Sequence, residues 1–240
     1  MKHKLFQHRR LVAAAAMALA GTAAHATLVL VAPENFSGTG LGAVNTVLTI
    51  KSPGNTSFEQ GSVGRNTTSS VDITTGDVQA QSMTRTLGDL GILSASSLRV
   101  VFNASEPNNA AEKSITLSNL VLNIYSGAGS LLFTSGAFSP VAFPDTFSGV
   151  GNSGFVFGLD ATQAAAAQMA AFGTGFGGNR VGLSAAADFA TGGLETFFVA
   201  NSSLPVAAPV PEPETYALML AGLGAIGFVA RRRSTRERTV

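Results

Sequence analysis

The sequence predicts an all-β body: a single antiparallel β-sandwich or jelly-roll-like domain with one short alanine-rich helix, set between a signal peptide and a C-terminal transmembrane helix. Three observations lead there. Short apolar runs alternate with polar residues at period two and are separated by Gly, Asn, Ser and Pro turns, as in antiparallel sheets. One stretch, Ala161 to Ala171, carries helix signals and no strand signals. The chain has 27 glycines and 16 phenylalanines but no cysteine or tryptophan, so turns are plentiful, bulky apolar side chains are available for a core, and no disulfide contributes.

Residues 1–26 read as a secretory signal peptide. Lys2, Lys4, Arg9 and Arg10 make a basic start, Leu11 to Ala20 is an apolar run, and Ala24-His25-Ala26 fits the small-x-small cleavage rule, so mature protein begins at Thr27. The residues around Arg9-Arg10 do not complete a twin-arginine signal, and the general secretion translocon is the expected partner.

The body, residues 27–203, has a length suited to one domain. Thr27 to Ala32 is a short β-branched run blunted by Pro33. Val44 to Ile50 is a strand closed by the turn Ser52-Pro53-Gly54-Asn55. From Thr56 to Ser82 the pattern fits either loosely alternating strands or a long surface excursion, with Val71 and Ile73 the clearest alternation. Leu98 to Phe102 is a strand, followed by a polar loop from Asn103 to Lys113. Ile115 and Leu117 begin the clearest alternation; its phase slips at Ser118-Asn119 and resumes at Leu120, Leu122 and Ile124, as at a β-bulge or a break between two strands. Ser126-Gly127-Ala128-Gly129 turns the chain into a strand from Leu131 to Phe138. Phe155, Phe157 and Leu159 alternate in another strand. Asp160 caps the helix with Gln163 in capping-box position, and Gly173 ends it. Val181 to Ala185 and Glu195 to Ala200 complete the strands, and the 14 phenylalanines from Phe36 to Phe198 are expected to fill the core.

Charge separates these regions. The formal net charge of +1 combines +4 in residues 1–26, −5 in residues 27–209 and +2 in residues 210–240. An acidic body with six basic side chains is a poor electrostatic match for nucleic acid, and no nucleic-acid partner is expected.

The chemistry available to the body is narrow. All three histidines, His3, His8 and His25, fall in the signal peptide, which removes Ser-His-Asp catalysis and, with no cysteine, the common zinc sites. A glycosidase would need two carboxylates about 5 to 9.5 Å apart flanking the scissile bond. Glu106, Glu112, Asp145, Asp188 and Glu195 are the candidates, most in Gly, Asn or Ser contexts that read as solvated loops. No Asp-x-Asp-x-Asp-Gly loop supports calcium, and Asp72 and Asp77 are too far apart in sequence to pair for it. Tyr125, the body's single tyrosine, reads as strand-end packing rather than a sugar platform. Thr67 to Thr75 lacks the regular Thr-x-Thr spacing of an ice-binding face. We therefore expect no catalytic residues, no metal and no cofactor.

The C-terminal region is the most specific part of the sequence. Residues 204–214 form a Pro-rich linker containing Pro211-Glu212-Pro213, in which the two prolines keep the peptide extended and open to a processing enzyme. Residues 215–230 carry no charged side chain; as a helix they would span roughly 24 Å, enough for a membrane with local thinning. Arg231, Arg232 and Arg233 then stop transfer and place residues 231–240 in the cytoplasm. Tripeptide, short span, arginine cluster and chain end together closely resemble the PEP-CTERM sorting signal that membrane proteases called exosortases recognise in Gram-negative bacteria. The resemblance covers Val210 to Arg233, with Pro211, Glu212 and Pro213 matching the signature. It implies processing at or near the tripeptide, transient anchoring in the inner membrane, and delivery to the cell surface or matrix, often in organisms that make exopolysaccharide. The Leu-Pro-x-Thr-Gly pentapeptide of Gram-positive sortase substrates is absent. The expected role is a non-enzymatic exported surface or biofilm-matrix protein whose further partner is extracellular polysaccharide. A glycan-binding module is the second reading and a carboxylate-dependent glycoside-active enzyme the third.

Overall fold

The structure is a computed structural model describing residues 27–32, 45–54, 56–106, 114–143 and 154–202. Two antiparallel sheets pack face to face. The first contains β1 (Leu28–Leu30), β10 (Gly154–Leu159), β6 (Leu98–Asn103), β12 (Glu195–Asn201) and β2 (Thr46–Ile50), in that order. The second runs β4 (Asp72–Gly76), β3 (Phe58–Arg65), β11 (Arg180–Asp188), β7 (Ile115–Tyr125) and β8 (Leu131–Thr134). Two short strands complete its ladders: β5 (Arg85–Thr86) pairs with β11, and β9 (Val141–Phe143) pairs with β7.

The inward positions of both sheets form one core. Leu48, Val100, Phe102, Phe157, Phe197 and Val199 come from the first sheet, and Val63, Leu117, Leu120, Leu122, Ile124 and Leu183 from the second. Phe102 stacks on Phe197 with ring centroids 4.9 Å apart. Residues 78–83 lie along the outer edge of β2, where the Gln79 amide donates to Thr49 O and the Met83 amide to Val47 O.

The phase slip at Ser118 is a β-bulge inside a continuous strand. Ala186 faces Asn119 and Ala187 faces Leu117, leaving Ser118 as the extra residue, with its hydroxyl donating to Ala186 O at 3.2 Å. The helix α1 (Ala161–Ala171) has the expected N-cap, the Asp160 carboxylate accepting from the Gln163 amide at 2.8 Å, but the capping box is not closed, because the Asp160 amide donates to Thr27 O at 3.5 Å and not to the Gln163 side chain. Ala164, Ala167 and Ala171 form its buried face.

Two expectations are corrected and one open alternative is decided. The strand after the Ser126–Gly129 turn stops at Thr134 rather than Phe138. There Ser135 offers its hydroxyl, in place of a backbone carbonyl, to the Leu122 amide at 3.0 Å, and the chain leaves the ladder. Of the two alternatives for Thr56–Ser82, the structure has the strands, β3 and β4. The phenylalanines do not all fill the core: Phe58 is 41% exposed and Phe189 63% exposed at one end of the sandwich.

The chain divides into two compact units, residues 1–206 and 207–240. The expected signal peptide with Ala24 and Ala26, the Pro211-Glu212-Pro213 linker, the expected transmembrane helix at 215–230, Arg231 to Arg233, Glu112 and Asp145 all lie outside the described residues. Among the described residues no helix is long and apolar enough to cross a membrane.

Candidate functional site

The chemically unusual part of the body is the end of the sandwich opposite α1. The carboxyl ends of β2, β6 and β11 meet there with the starts of β3 and β12. Along β3 the inward positions are Glu59, Gly61 and Val63; along β12 they are Glu195, Phe197 and Val199. The strand periodicity that sends Val63 and Phe197 into the core therefore sends Glu59 and Glu195 in as well, from opposite sheets. Glu106, three residues beyond β6, folds in beside them. Relative exposures are 0% for Glu59, 1% for Glu195 and 3% for Glu106.

The three carboxyl groups form a chain with Glu195 in the middle, within hydrogen-bonding reach of both Glu59 and Glu106. The Ser105 amide donates to Glu195 Oε1 at 3.4 Å. Glu106 Oε2 accepts from both the amide and the hydroxyl of Thr191 at 2.9 Å each. Among the described residues, neither oxygen of Glu59 receives an N–H or O–H with good hydrogen-bond geometry, and Glu106 Oε1 receives none. The Ser52 backbone favours the Glu59 carboxylate only weakly.

Burial is the largest influence on all three, and it disfavours the charged form. Glu59 and Glu106 are raised from their ordinary values, and Glu195 is pushed up to about 9, with the Glu59 carboxyl beside it as the second cause. Protons then supply the donors that the surrounding backbone does not. Among the described residues, no three acidic, histidine or cysteine side chains converge on a common cation position.

This corrects the expectation that these acids are solvated loop residues. Glu106 and Glu195 are brought together in the core, and Glu59, absent from the sequence-based candidates, joins them. Asp188, at the end of β11, is half-buried and stands one residue from the exposed Phe189. Asp72 has a structural role: it is ion-paired with Arg65 at 3.1 Å and accepts from the amide and hydroxyl of Thr84, whose oxygens in turn accept from Arg180. Tyr125 is half-buried as strand-end packing, over the flat strip left by Gly64 and Gly182.

Next to the acids a cavity of about 280 Å³ opens between the β2–β3 and β11–β12 loops, lined by Lys51, Ser52, Thr56, Ser57, Ala190 and Thr191 with two glycines. Lys51 is exposed at its rim, whereas Arg65, Arg85, Arg99 and Arg180 each donate to oxygens within the body. Phe189, the residue before Ala190, is exposed and held at φ 64°, a left-handed conformation that bulky residues seldom adopt.

A family model described as the PEP-CTERM protein-sorting motif matches residues 209–233. The match begins one residue before the Val210 boundary expected from the sequence and ends at Arg233. The chain therefore carries a PEP-CTERM sorting motif, which implies export, membrane-associated sorting and processing by an exosortase-type protease. No curated protein and no solved structure matches the chain.

Proposed function

We propose that this is a non-enzymatic protein of the cell surface or extracellular matrix, delivered by its C-terminal sorting motif and resident among exopolysaccharide. The observation that carries the reading is the motif at residues 209–233, at the end of a chain that opens with a signal-peptide pattern. The body's chemistry supports the non-enzymatic part. A carboxylate mechanism needs an acid and a base in contact with a substrate, but Glu59, Glu106 and Glu195 are sealed in the core. The test is matrix fractionation of the native host, with the body detected by antibody. Recovery with the polysaccharide fraction, and release when that polymer is enzymatically depolymerised, supports the proposal. Recovery in the inner membrane or free in the medium overturns it.

A glycan-binding body is the second reading, favoured by the cavity beside Lys51. An ammonium and several hydroxyls together suit a carboxylated sugar, through charge and hydrogen bonding. Co-sedimentation of the exported protein with alginate, reduced by Lys51→Ala and absent with dextran, supports this reading. Equal sedimentation of wild type and variant removes Lys51 from it.

A further inference from the structure

We propose that Glu59, Glu195 and Glu106 act as a proton-held clasp that fastens the β11–β12 loop across the end of the sandwich, and that loss of its protons releases this loop while the sheets stay folded. The loop, Phe189 to Leu194, is exposed at every position except Ala190; the Ser52 hydroxyl donates to Ala190 O at 3.2 Å, and three further ties run to segments that carry the glutamates or to Glu106 itself. The Ala190 amide donates to Ser57 O at 2.9 Å, two residues before Glu59. The Gly193 amide donates to Ser105 O at 2.7 Å, next to Glu106. Thr191 makes its two bonds to Glu106 itself. The fit is close: a methyl group on Gly192 would collide with Ser105 O and stand 2.7 Å from Glu106 Cα.

Beneath the loop, the Glu59 oxygens and Glu106 Oε1 receive no well-formed hydrogen bond among the described residues, so carboxyl protons of the cluster or entering water supply donors that the Ser52 backbone alone does not. The charged surroundings do not offer a substitute. Glu59 and Glu195 face each other from β3 and β12, and Glu106 approaches from the end of β6. Asp77, beyond β4, adds repulsion at Glu59, and Asp188 ends β11 at the loop's base. Lys51, at the end of β2, is exposed at the cavity rim, and among the described residues the ion pair formed is Arg65–Asp72, at another site.

When the cluster ionises, like charges meet in a desolvated place, and the nearest relief is water admitted under the loop. Burial raises all three glutamates, and Glu195, pushed up to about 9, keeps its proton at neutral pH. Phe189, in its left-handed conformation, gives the loop a reason to relax once its ties are lost. Because Ala190 and Thr191 also line the cavity, release would reshape that opening.

Hydrogen exchange of the full chain, followed by mass spectrometry and corrected for the intrinsic pH dependence of exchange, tests the clasp. Between pH 7 and 10, protection of the Ala190 and Gly193 amides is expected to fall by roughly tenfold or more, while protection of Leu120 to Ile124 in β7 holds. Glu195→Gln cannot ionise and is expected to flatten the profile at the loop; if that variant does not fold, Glu106→Gln is expected to do the same while leaving an acceptor for Thr191. Loop protection that is unchanged in wild type, a parallel loss in β7, or an unaltered profile in the folded variant would each overturn the proposal. The wild-type scan is decisive by itself should neither variant fold.

Discussion

Replacing Glu195 with glutamine should change how stability depends on pH, with a sign set by burial. The folded-state value is raised, so the carboxyl's favourable contribution is complete below the unfolded-state value and is lost as pH rises toward about 9. Within that window stability falls by about 1.4 kcal/mol per pH unit for each proton the unfolded chain releases and the folded chain keeps. From pH 6 to pH 8, one such proton corresponds to about 2–3 kcal/mol, a large share of a typical domain's stability. Glu59 and Glu106 are raised as well, chiefly by burial, so their contributions have the same sign. Because Glu59 and Glu195 titrate as a pair, the loss is spread over the interval instead of falling at one pH. Glu195→Gln keeps the volume and removes the charge, so its stability relative to wild type should improve by about 2–3 kcal/mol over the same two units. The assay is urea unfolding at fixed ionic strength and several pH values, with the m-value checked for constancy. Wild-type stability that is flat or rising from pH 6 to 8.5, or the same slope in the variant, would refute the reasoning.

Three further outcomes follow from other parts of the chain. Leu122 is fully buried opposite Leu183, so Leu122→Ala should cost about 2–5 kcal/mol by chemical denaturation, while half-buried Asn123→Ala should cost a small fraction of that; equal losses would contradict the inward phase of β7. Gly192→Ala places a methyl group against Ser105 O and should cost about 1–3 kcal/mol, whereas Gly173→Ala, with nothing within 4 Å, should be close to neutral in the same assay. N-terminal sequencing of exported protein should begin at Thr27; a start beyond Leu30 or a retained Met1 would contradict the Ala24-His25-Ala26 cleavage pattern.

What the sequence made legible follows from which faces are buried. β7 faces the core on one side along its whole length, so its alternation is clean enough to reveal a single inserted residue at Ser118. The helix start was legible because an N-cap is local chemistry, one carboxylate and one amide three residues on. β4 was ambiguous because it is an edge strand with four of five residues exposed; with no face to bury, selection for alternation is weak. β9 has three residues between Pro140 and Pro144, and β5 has two, too short for any periodicity to register.

The acid chain could have been found. Glu59 is in phase with Gly61 and Val63, and Glu195 with Phe197 and Val199, so extending each strand's alternation by one step puts both carboxyls in the core. Composition pointed the other way, because glutamates beside Gly and Ser are ordinarily solvated. Glu106 follows β6 in a loop, and its burial depends on Thr191, 85 residues away, a pairing with no local signal. The exposed Phe58 and Phe189 likewise reflect position at the rim, where residue type alone misleads.

The central claim is that the C-terminal segment is a processed sorting signal, and it is tested most directly by replacing Pro211, Glu212 and Pro213 with alanine. The variant is expressed in a host containing an exosortase, and its membrane and surface fractions are blotted beside wild type. The account predicts full-length variant protein held in the inner membrane, with the shortened form lost from the surface. Processing and surface delivery equal to wild type would contradict it and reduce the segment to an ordinary membrane anchor.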